Sequence, residues 1–324
     1  KQTPKTWLVT GVAGFIGCEV ALLLSKAGYS IVGIDNLNHY YDVSLKHARL
    51  KRLNGLVDFR EMDLVDKNSL NDLFKTEKFD AVVHLAAQAG VRYSLENPQA
   101  YVDSNVTGFL SILECCRENP VKHLVYASSS SVYGRNKKTP FSTEDPVCMP
   151  SSLYAATKRS NELMAETYSH LFKVNSTGLR FFTVYGPWGR PDMAPWLFAS
   201  SILEGKPIKV FNNGNMLRDF TYIADIAEGV VRVLENGLER APIHKLYNIG
   251  HGSPVNLMDF IAILENSLGM EAKKDFLPMQ PGDVEVTYAD TSALEKEVGY
   301  LATTDLESGV KAFAEWFKDY KKSI

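Results

Sequence analysis

The sequence predicts an α/β protein: a doubly wound parallel sheet followed by a smaller C-terminal α/β lobe. Through the first half, short β-branched runs alternate with helix-forming stretches. The runs lack the apolar/polar alternation of half-exposed strands, which points to strands covered on both faces. Beyond residue 180 the punctuation changes: Pro187, Gly189, Pro191, Pro195 and Pro207 crowd a short stretch, as expected of a loop-rich second lobe.

In chain order, Thr6–Thr10 (TWLVT) reads as a buried strand and residues 15–27 as a helix stopped by Gly28. Ser30–Asp35 (SIVGID) is the next strand, followed by Val57–Arg60, Ala81–Leu85 (AVVHL) and His123–Ala127 (HLVYA). Helices are expected near 67–75, 99–117 and 152–172. The lobe boundary is placed near 180, giving a dinucleotide-binding unit over 1–180, to which the chain returns around 215–250, and a substrate lobe over 181–324. No internal repeat is visible.

The 324 residues suffice for one large core plus a lobe, and a net charge of −3 argues against a nucleic-acid or anionic-membrane surface. The longest apolar stretches are strand-sized, short of the roughly 20 residues that span a bilayer. Lys1 to Lys5 run straight into the first strand with no signal-peptide pattern, so a cytoplasmic protein is expected. The chain does not begin with Met, which leaves a removed targeting segment open. Cys18, Cys115, Cys116 and Cys148 form no C-x-x-C and no metal-ligand spacing, and read as free thiols in a reducing compartment.

The turn between the first strand and helix carries the first chemistry. Gly11, Gly14 and Gly17 of TGVAGFIG, with Phe15 and Ile16, follow a G-x-x-G-x-x-G spacing rather than G-x-G-x-x-G. A helix N-terminus supplies free N–H donors and partial positive charge for a pyrophosphate, and glycines let the backbone approach it. Asp35 ends the second strand 18 residues after Gly17, where a carboxylate binds a ribose 2′-hydroxyl and repels a 2′-phosphate. NAD is therefore preferred over NADP, although Lys46 and Arg49 downstream keep NADP in view. Asp63-Leu64 and Leu85-Ala86-Ala87, at later strand ends, fit the rim of such a Rossmann-like site. Each taken alone is also ordinary packing.

Tyr154 and Lys158 lie four apart in a helix-forming segment and so share one face. An ammonium beside a phenol favours the phenolate, which makes Tyr154 a candidate general base. The same spacing at Tyr133–Lys137 contains Gly134 and Asn136, poor helix residues. The run Ser128–Ser131 ends a predicted strand, where a hydroxyl can share the substrate proton; a serine-rich run is equally an ordinary turn.

Together these features resemble the extended short-chain dehydrogenase/reductase family, specifically its nucleotide-sugar epimerases. The resemblance covers nearly the whole chain: TGVAGFIG, HLAA, Asn105 in NVTG, SSSSVYG, YAATK, Arg218–Phe220 (RDF) and Pro281–Val284 (PGDV). It implies Tyr154 as acid/base, Lys158 as ribose holder and Ser129 as assistant, with Ser130 and Ser131 able to share that role. It implies cofactor-side contacts for Asn36 and Asn105. For a UDP-sugar, it implies a diphosphate clamp at Arg218 with Asp283 nearby. Related 4,6-dehydratases carry Asp-Glu before VYG and UDP-glucuronate decarboxylases a Glu there; here Ser130 and Ser131 stand in those places, favouring simple 4-epimerisation.

Residues 35–50, 180–194 and 279–284 resemble the UDP-glucuronate 4-epimerases in particular, as does Thr183, where UDP-glucose epimerases commonly have Asn. Arg190 is a candidate partner for a C5 carboxylate; an ordinary solvated loop cation is the alternative. Gln280 replaces the Arg of RPGD that touches the diphosphate in many relatives. The competing readings are a UDP-glucose or UDP-N-acetylhexosamine 4-epimerase and a non-catalytic NAD-binding sensor. Helices 99–117 and 152–172 are expected to form a homodimer interface, as in relatives.

Overall fold

The computed structural model describes residues 5–323; Lys1 to Pro4 of the lead-in read above lie outside the described residues. Strands β1 (Thr6–Thr10), β2 (Ser30–Asp35), β3 (Val57–Glu61), β4 (Ala81–His84), β5 (His123–Ser129), β6 (Ser176–Phe181) and, far along the chain, His244–Ile249 form one seven-stranded sheet. Its order is His244–Ile249, β6, β5, β4, β1, β2, β3, with every neighbouring pair parallel. The order reverses between β1 and β4. In such sheets the crevice at the carboxyl ends beside the reversal is where ligands bind.

Helix α1 (Phe15–Lys26) covers one face of the sheet; α2 (Val43–Arg52) follows β2 and α3 (Lys67–Glu77) follows β3. After β4 come two single turns, α4 (Tyr93–Glu96) and α5 (Pro98–Tyr101), then a π-helical turn at Val102–Thr107 and α6 (Gly108–Glu118). The expected continuous helix over 99–117 is thus interrupted by the π turn around Asn105. Helix α7 (Leu153–Phe172) is capped by the Ser152 hydroxyl, which accepts from Ala155 N–H at 3.1 Å.

The remainder alternates between two cores. Strand β7 (Thr183–Tyr185), helix α8 (Ala194–Leu203) and strands β8 (Ile208–Val210), β9 (Leu217–Arg218) and β10 (Phe220–Tyr222) lead away from the sheet. Helix α9 (Ile223–Gly237) and β11 (His244–Ile249) return to it. Strand β12 (Val255–Asn256), helix α10 (Leu257–Leu268) and β13 (Lys274–Phe276) go back to the lobe, α11 (Ser292–Val298) rejoins the sheet core, and α12 (Leu306–Ser323) closes the lobe. Phe198, Phe260, Leu264, Phe313 and Phe317 pack the lobe, whereas Val9, Val20, Val125, Leu179 and Val230 pack the sheet. The two cores are built from interleaved segments, with Ile223–Gly237 and His244–Ile249 back in the sheet unit.

Helix α2 has no counterpart among the sequence-predicted helices. Its residues are mostly polar, but Leu45, Lys46 and Arg49 are buried, and Asp42 caps it by accepting from Ser44 N–H at 2.8 Å. Its inward face is made by long cationic side chains rather than by an apolar stripe, so the usual 3.6-residue signal is absent.

Candidate active site

The glycine turn follows β1 directly. Gly11 has φ +71°, and a Cβ there would lie 2.7 Å from the backbone nitrogen of Ala86. A Cβ on Gly17 would lie 2.1 Å from Gly11 O, so α1 seats against its own turn only because residue 17 has no side chain. Phe15 is buried, and Ile16 is partly buried against the sheet core.

Asp35 braces the same turn. Its Oδ2 accepts from Ala13 N–H at 3.1 Å and Oδ1 from Leu37 N–H at 2.9 Å. Burial raises its pKa, opposed by those N–H groups and by Lys46. A carboxylate has about four acceptor positions, so capacity remains for ribose hydroxyls. Asn36 donates to Asp63 Oδ2 at 2.9 Å, linking the ends of β2 and β3. Leu64 packs into the core beneath α3 and α6.

The two cations that kept NADP in view are committed elsewhere. Lys46 Nζ donates to Asn38 O (2.7 Å) and Oδ1 (2.9 Å). Arg49, fully buried, donates to Ala13 O (3.1 Å), the Tyr41 hydroxyl (2.6 Å), Trp188 O (2.7 Å) and Gly189 O (3.1 Å). It ties the glycine turn to the loop that carries Arg190.

Across the crevice, the Thr10 hydroxyl accepts from the N–H groups of Leu85 and Ala86, each at 3.1 Å, and pairs with His84 Nδ1 at 2.8 Å. Burial, reinforced by Lys158, pushes His84 down to about 3, so its imidazole is neutral. Leu85, Ala86 and Ala87 are partly buried along the segment leading to Gln88. Asn105, at the π turn, accepts from Gln88 N–H (2.8 Å) and donates to Gln88 O (2.9 Å) and the Thr157 hydroxyl (3.1 Å). It anchors the post-β4 loop to α7; π turns of this kind recur at functional sites.

Tyr154 and Lys158 lie on α7, one turn apart. Burial raises the pKa of the Tyr154 phenol; the nearby Ser129 hydroxyl pulls it down, Arg190 also lowers it and Asp192 raises it. The groups acting on the phenol therefore differ from the sequence expectation, which named Lys158. The buried Lys158 ammonium donates to Ala127 O at 3.0 Å, and burial pushes it down to about 8. Ser129 Oγ also lies 2.8 Å from Ser131 Oγ and accepts from Ser131 N–H. Ser130 opens the short turn that follows and is partly buried. Ser128 turns away, donating to Glu162 Oε1 at 2.6 Å.

On the lobe side, Thr183 begins β7, which pairs with β10. Arg190 forms a two-point ion pair with Asp192, Nε to Oδ1 at 3.0 Å and Nη2 to Oδ2 at 2.5 Å, and the Tyr40 hydroxyl donates to the same Oδ2 at 3.0 Å. At the far end, Arg218 donates to Leu217 O and Glu285 O, each at 3.0 Å, and feels Asp283. Arg92 reaches Asp283 Oδ2 at 3.5 Å, and the Asp283 charge also acts on Arg218. Gln280 has its buried Oε1 without a hydrogen-bond partner.

Sequence reasoning missed Tyr40, Asp192, Arg92 and the structural role of Arg49. Asp192 was within reach, two residues from a singled-out Arg. Tyr40, 152 residues away in the chain, carried no local signal.

A family model described as the NAD dependent epimerase/dehydratase family matches residues 7–250. The chain belongs to that family. Other similar proteins include Protein CapI of Staphylococcus aureus, 49% identical over 97% of this chain and 99% of that one. UDP-glucuronate 4-epimerase 4 of Arabidopsis thaliana is 48% identical over 97% of this chain and 76% of its own length. The fold superimposes with a TM-score of 0.91 on a crystal structure of UDP-glucuronic acid 4-epimerase from Bacillus cereus with UDP-glucuronic acid and NAD, at 35% identity, covering 97% of this chain and 99% of that one. The cradle fits the cofactor of the epimerase/dehydratase family: its glycines leave room for a pyrophosphate, Asp35 keeps acceptor capacity beside the glycine turn, and Lys46 and Arg49 are spent on neighbouring carbonyls.

Proposed function

We propose that this protein is an NAD-dependent 4-epimerase of a UDP-sugar, interconverting UDP-glucuronate and UDP-galacturonate. The observation that carries the reading is the half-buried Arg190–Asp192 ion pair, whose charges both act on the Tyr154 phenol. A neutral sugar gives a guanidinium beside the reacting carbon nothing to pair with; a C5 carboxylate does.

NAD, when bound, supplies a hydride acceptor that returns what it takes. Tyr154 receives the proton of the sugar 4-hydroxyl, and Ser129 shares that hydrogen bond as charge develops. Burial holds the phenol above its ordinary range, so the Ser129 hydroxyl and the Arg190 charge are what make its deprotonation accessible. Arg218 holds the diphosphate while the 4-keto sugar turns over and exposes its other face. Tyr154 then gives the proton back. Ser130 and Ser131 offer no carboxylate for elimination, and Asp192 is held by Arg190 and Tyr40. A 4-keto uronate is a β-keto acid prone to lose CO₂; Arg190 and Thr183 keep the carboxylate out of line with the ketone.

The protein is further read as a cytoplasmic homodimer of polysaccharide-precursor metabolism. Among the described residues no helix is long and apolar enough to cross a membrane. Val102 and Leu110 from the π turn and α6, with Leu163, Leu171 and Phe172 from α7, are exposed apolar residues on the two helices expected to meet a second copy. The deciding experiment incubates the NAD-loaded protein separately with UDP-glucuronate, UDP-galacturonate and UDP-glucose and identifies products by NMR. Interconversion of the two uronates, lost in Tyr154→Phe, is expected; conversion of UDP-glucose alone overturns the substrate assignment.

A further inference from the structure

We propose that Asp192, braced by Tyr40, is a positioning residue that fixes the guanidinium of Arg190 and thereby sets the preference for a uronate over a neutral sugar. This rests on the uronate reading above.

The pairing is side-on. Asp192 takes Nε and one hydrogen of Nη2, at 3.0 and 2.5 Å. A guanidinium carries five N–H donors in a plane, so this leaves the Nη1/Nη2 end free and aimed in a fixed direction. Both partners are only about one quarter exposed, 24% and 25%. A second carboxylate can approach that free end without displacing Asp192, giving a carboxylate–guanidinium–carboxylate row.

The brace is anchored from the cofactor side. Tyr40 sits in the loop after Asp35, and its backbone N–H donates to Asn38 Oδ1 at 3.3 Å. To reach Asp192 its hydroxyl passes Gly90, where a Cβ would lie 2.5 Å away; Gly90 has φ +100°. The Tyr101 hydroxyl donates to the carbonyls of Ala89 and Gly90, holding that glycine in place. The backbone before Arg190 is held as well, by Arg49 on Trp188 O and Gly189 O. Arg190 is therefore fixed at both its main chain and its side chain before any sugar arrives.

Asp192 has a second effect that a purely structural residue lacks. Its charge opposes that of Arg190 at Tyr154, raising the phenol's pKa where Arg190 lowers it. Removing the Asp192 charge must shift the Tyr154 limb of the pH–rate profile to lower pH.

The test compares Asp192→Asn, Tyr40→Phe and Arg190→Ala with the parent, all NAD-loaded and matched for thermal stability. Read-outs are KM for UDP-glucuronate, KM or competitive Ki for UDP-glucose, and the pH profile of kcat. Asp192→Asn is expected to raise KM for the uronate about tenfold, the cost of loosening a charged two-point contact, while leaving the UDP-glucose constant within about twofold. Its kcat profile moves to lower pH, and Tyr40→Phe gives a smaller rise in uronate KM with no profile shift. A uronate KM that falls or stays level in Asp192→Asn, while Arg190→Ala weakens the uronate far more than UDP-glucose, overturns the positioning role and leaves the substrate reading standing. Equal losses for both sugars in Asp192→Asn also overturn it. If Arg190→Ala changes the constants for both sugars by the same factor, the uronate reading fails and this inference with it.

Discussion

Replacing Lys158 by Met separates what the fold wants from what catalysis needs. The ammonium is 3% exposed and donates to Ala127 O, and burial carries its pKa from 10.5 to about 8. At about 1.4 kcal/mol per unit, holding the charge in the NAD-free fold at neutral pH costs about 3 kcal/mol. Methionine fills a similar volume without charge and forfeits one hydrogen bond, worth about 1 kcal/mol. The variant should therefore be more stable by about 2 kcal/mol. With an unfolding entropy of about 2.1 cal/mol/K per residue, that is about 3 °C in Tm for a chain of this length. The pH dependence has a definite sign. Between about pH 8 and 10.5 the unfolded chain keeps a proton on Lys158 that the folded chain has released, so parental stability rises with pH across this window. The advantage of Lys158→Met is thus complete below pH 8 and gone above 10.5; taking the difference between the two proteins cancels all other titrations. Turnover falls by about 10²–10⁴-fold. Thermal unfolding of both NAD-free proteins across that range is the assay. A parent more stable than the variant at pH 7 would refute the account of Lys158 as an uncompensated buried charge.

Three further outcomes follow from other parts of the molecule. Gly11→Ala forces a Cβ against Ala86 N at φ +71° and should both lower the thermal stability of the NAD-free protein and weaken NAD binding at least about tenfold, measured by thermal unfolding and calorimetric titration. Glu162→Gln leaves Arg180 buried without its charge partner and should cost about 3–5 kcal/mol in urea unfolding. Burial pushes Glu162 up, but Arg180, Ser128 and Arg159 outweigh it and hold its pKa low, so its contribution is present above about pH 4.3, the ordinary Glu value, and is lost as pH falls through the lowered value; a parent whose stability does not fall there more than that of Glu162→Gln contradicts this. Leu163→Glu with Leu171→Glu charges the exposed face of α7 and should convert a dimer to monomer in light scattering at micromolar concentration; an unchanged mass rules out this face as the interface.

The sequence was most legible where function imposes a short-range pattern. The strand, glycines and helix of 6–26 are contiguous, and Tyr154 and Lys158 share one helical turn, so spacing alone placed them on common elements. The interruption at Asn105 was not legible, because a π turn inserts its extra residue without any change in composition; only the links to Gln88 and Asn161 make it worthwhile. Helix α2 was missed for a related reason. The burial of Arg49 depends on carbonyls at 188 and 189, and nothing within its own decapeptide marks it as interior. The Arg190–Asp192 pair was half legible: the cation was singled out as a partner for a sugar carboxylate, and the anion two residues on is ambiguous until Tyr40 is brought to it.

The span of Arg49 from Ala13 to Gly189 bears on how this scaffold can be re-engineered. Cofactor preference and sugar preference are usually altered as separate modules, one set of loops at a time. Here a single guanidinium is shared between the two loops, so a library that varies the dinucleotide side alone will also disturb sugar discrimination. A switch to NADP requires a newly introduced cation near residue 36, because the two already present are structural members and cannot be recruited without loosening both walls of the cleft.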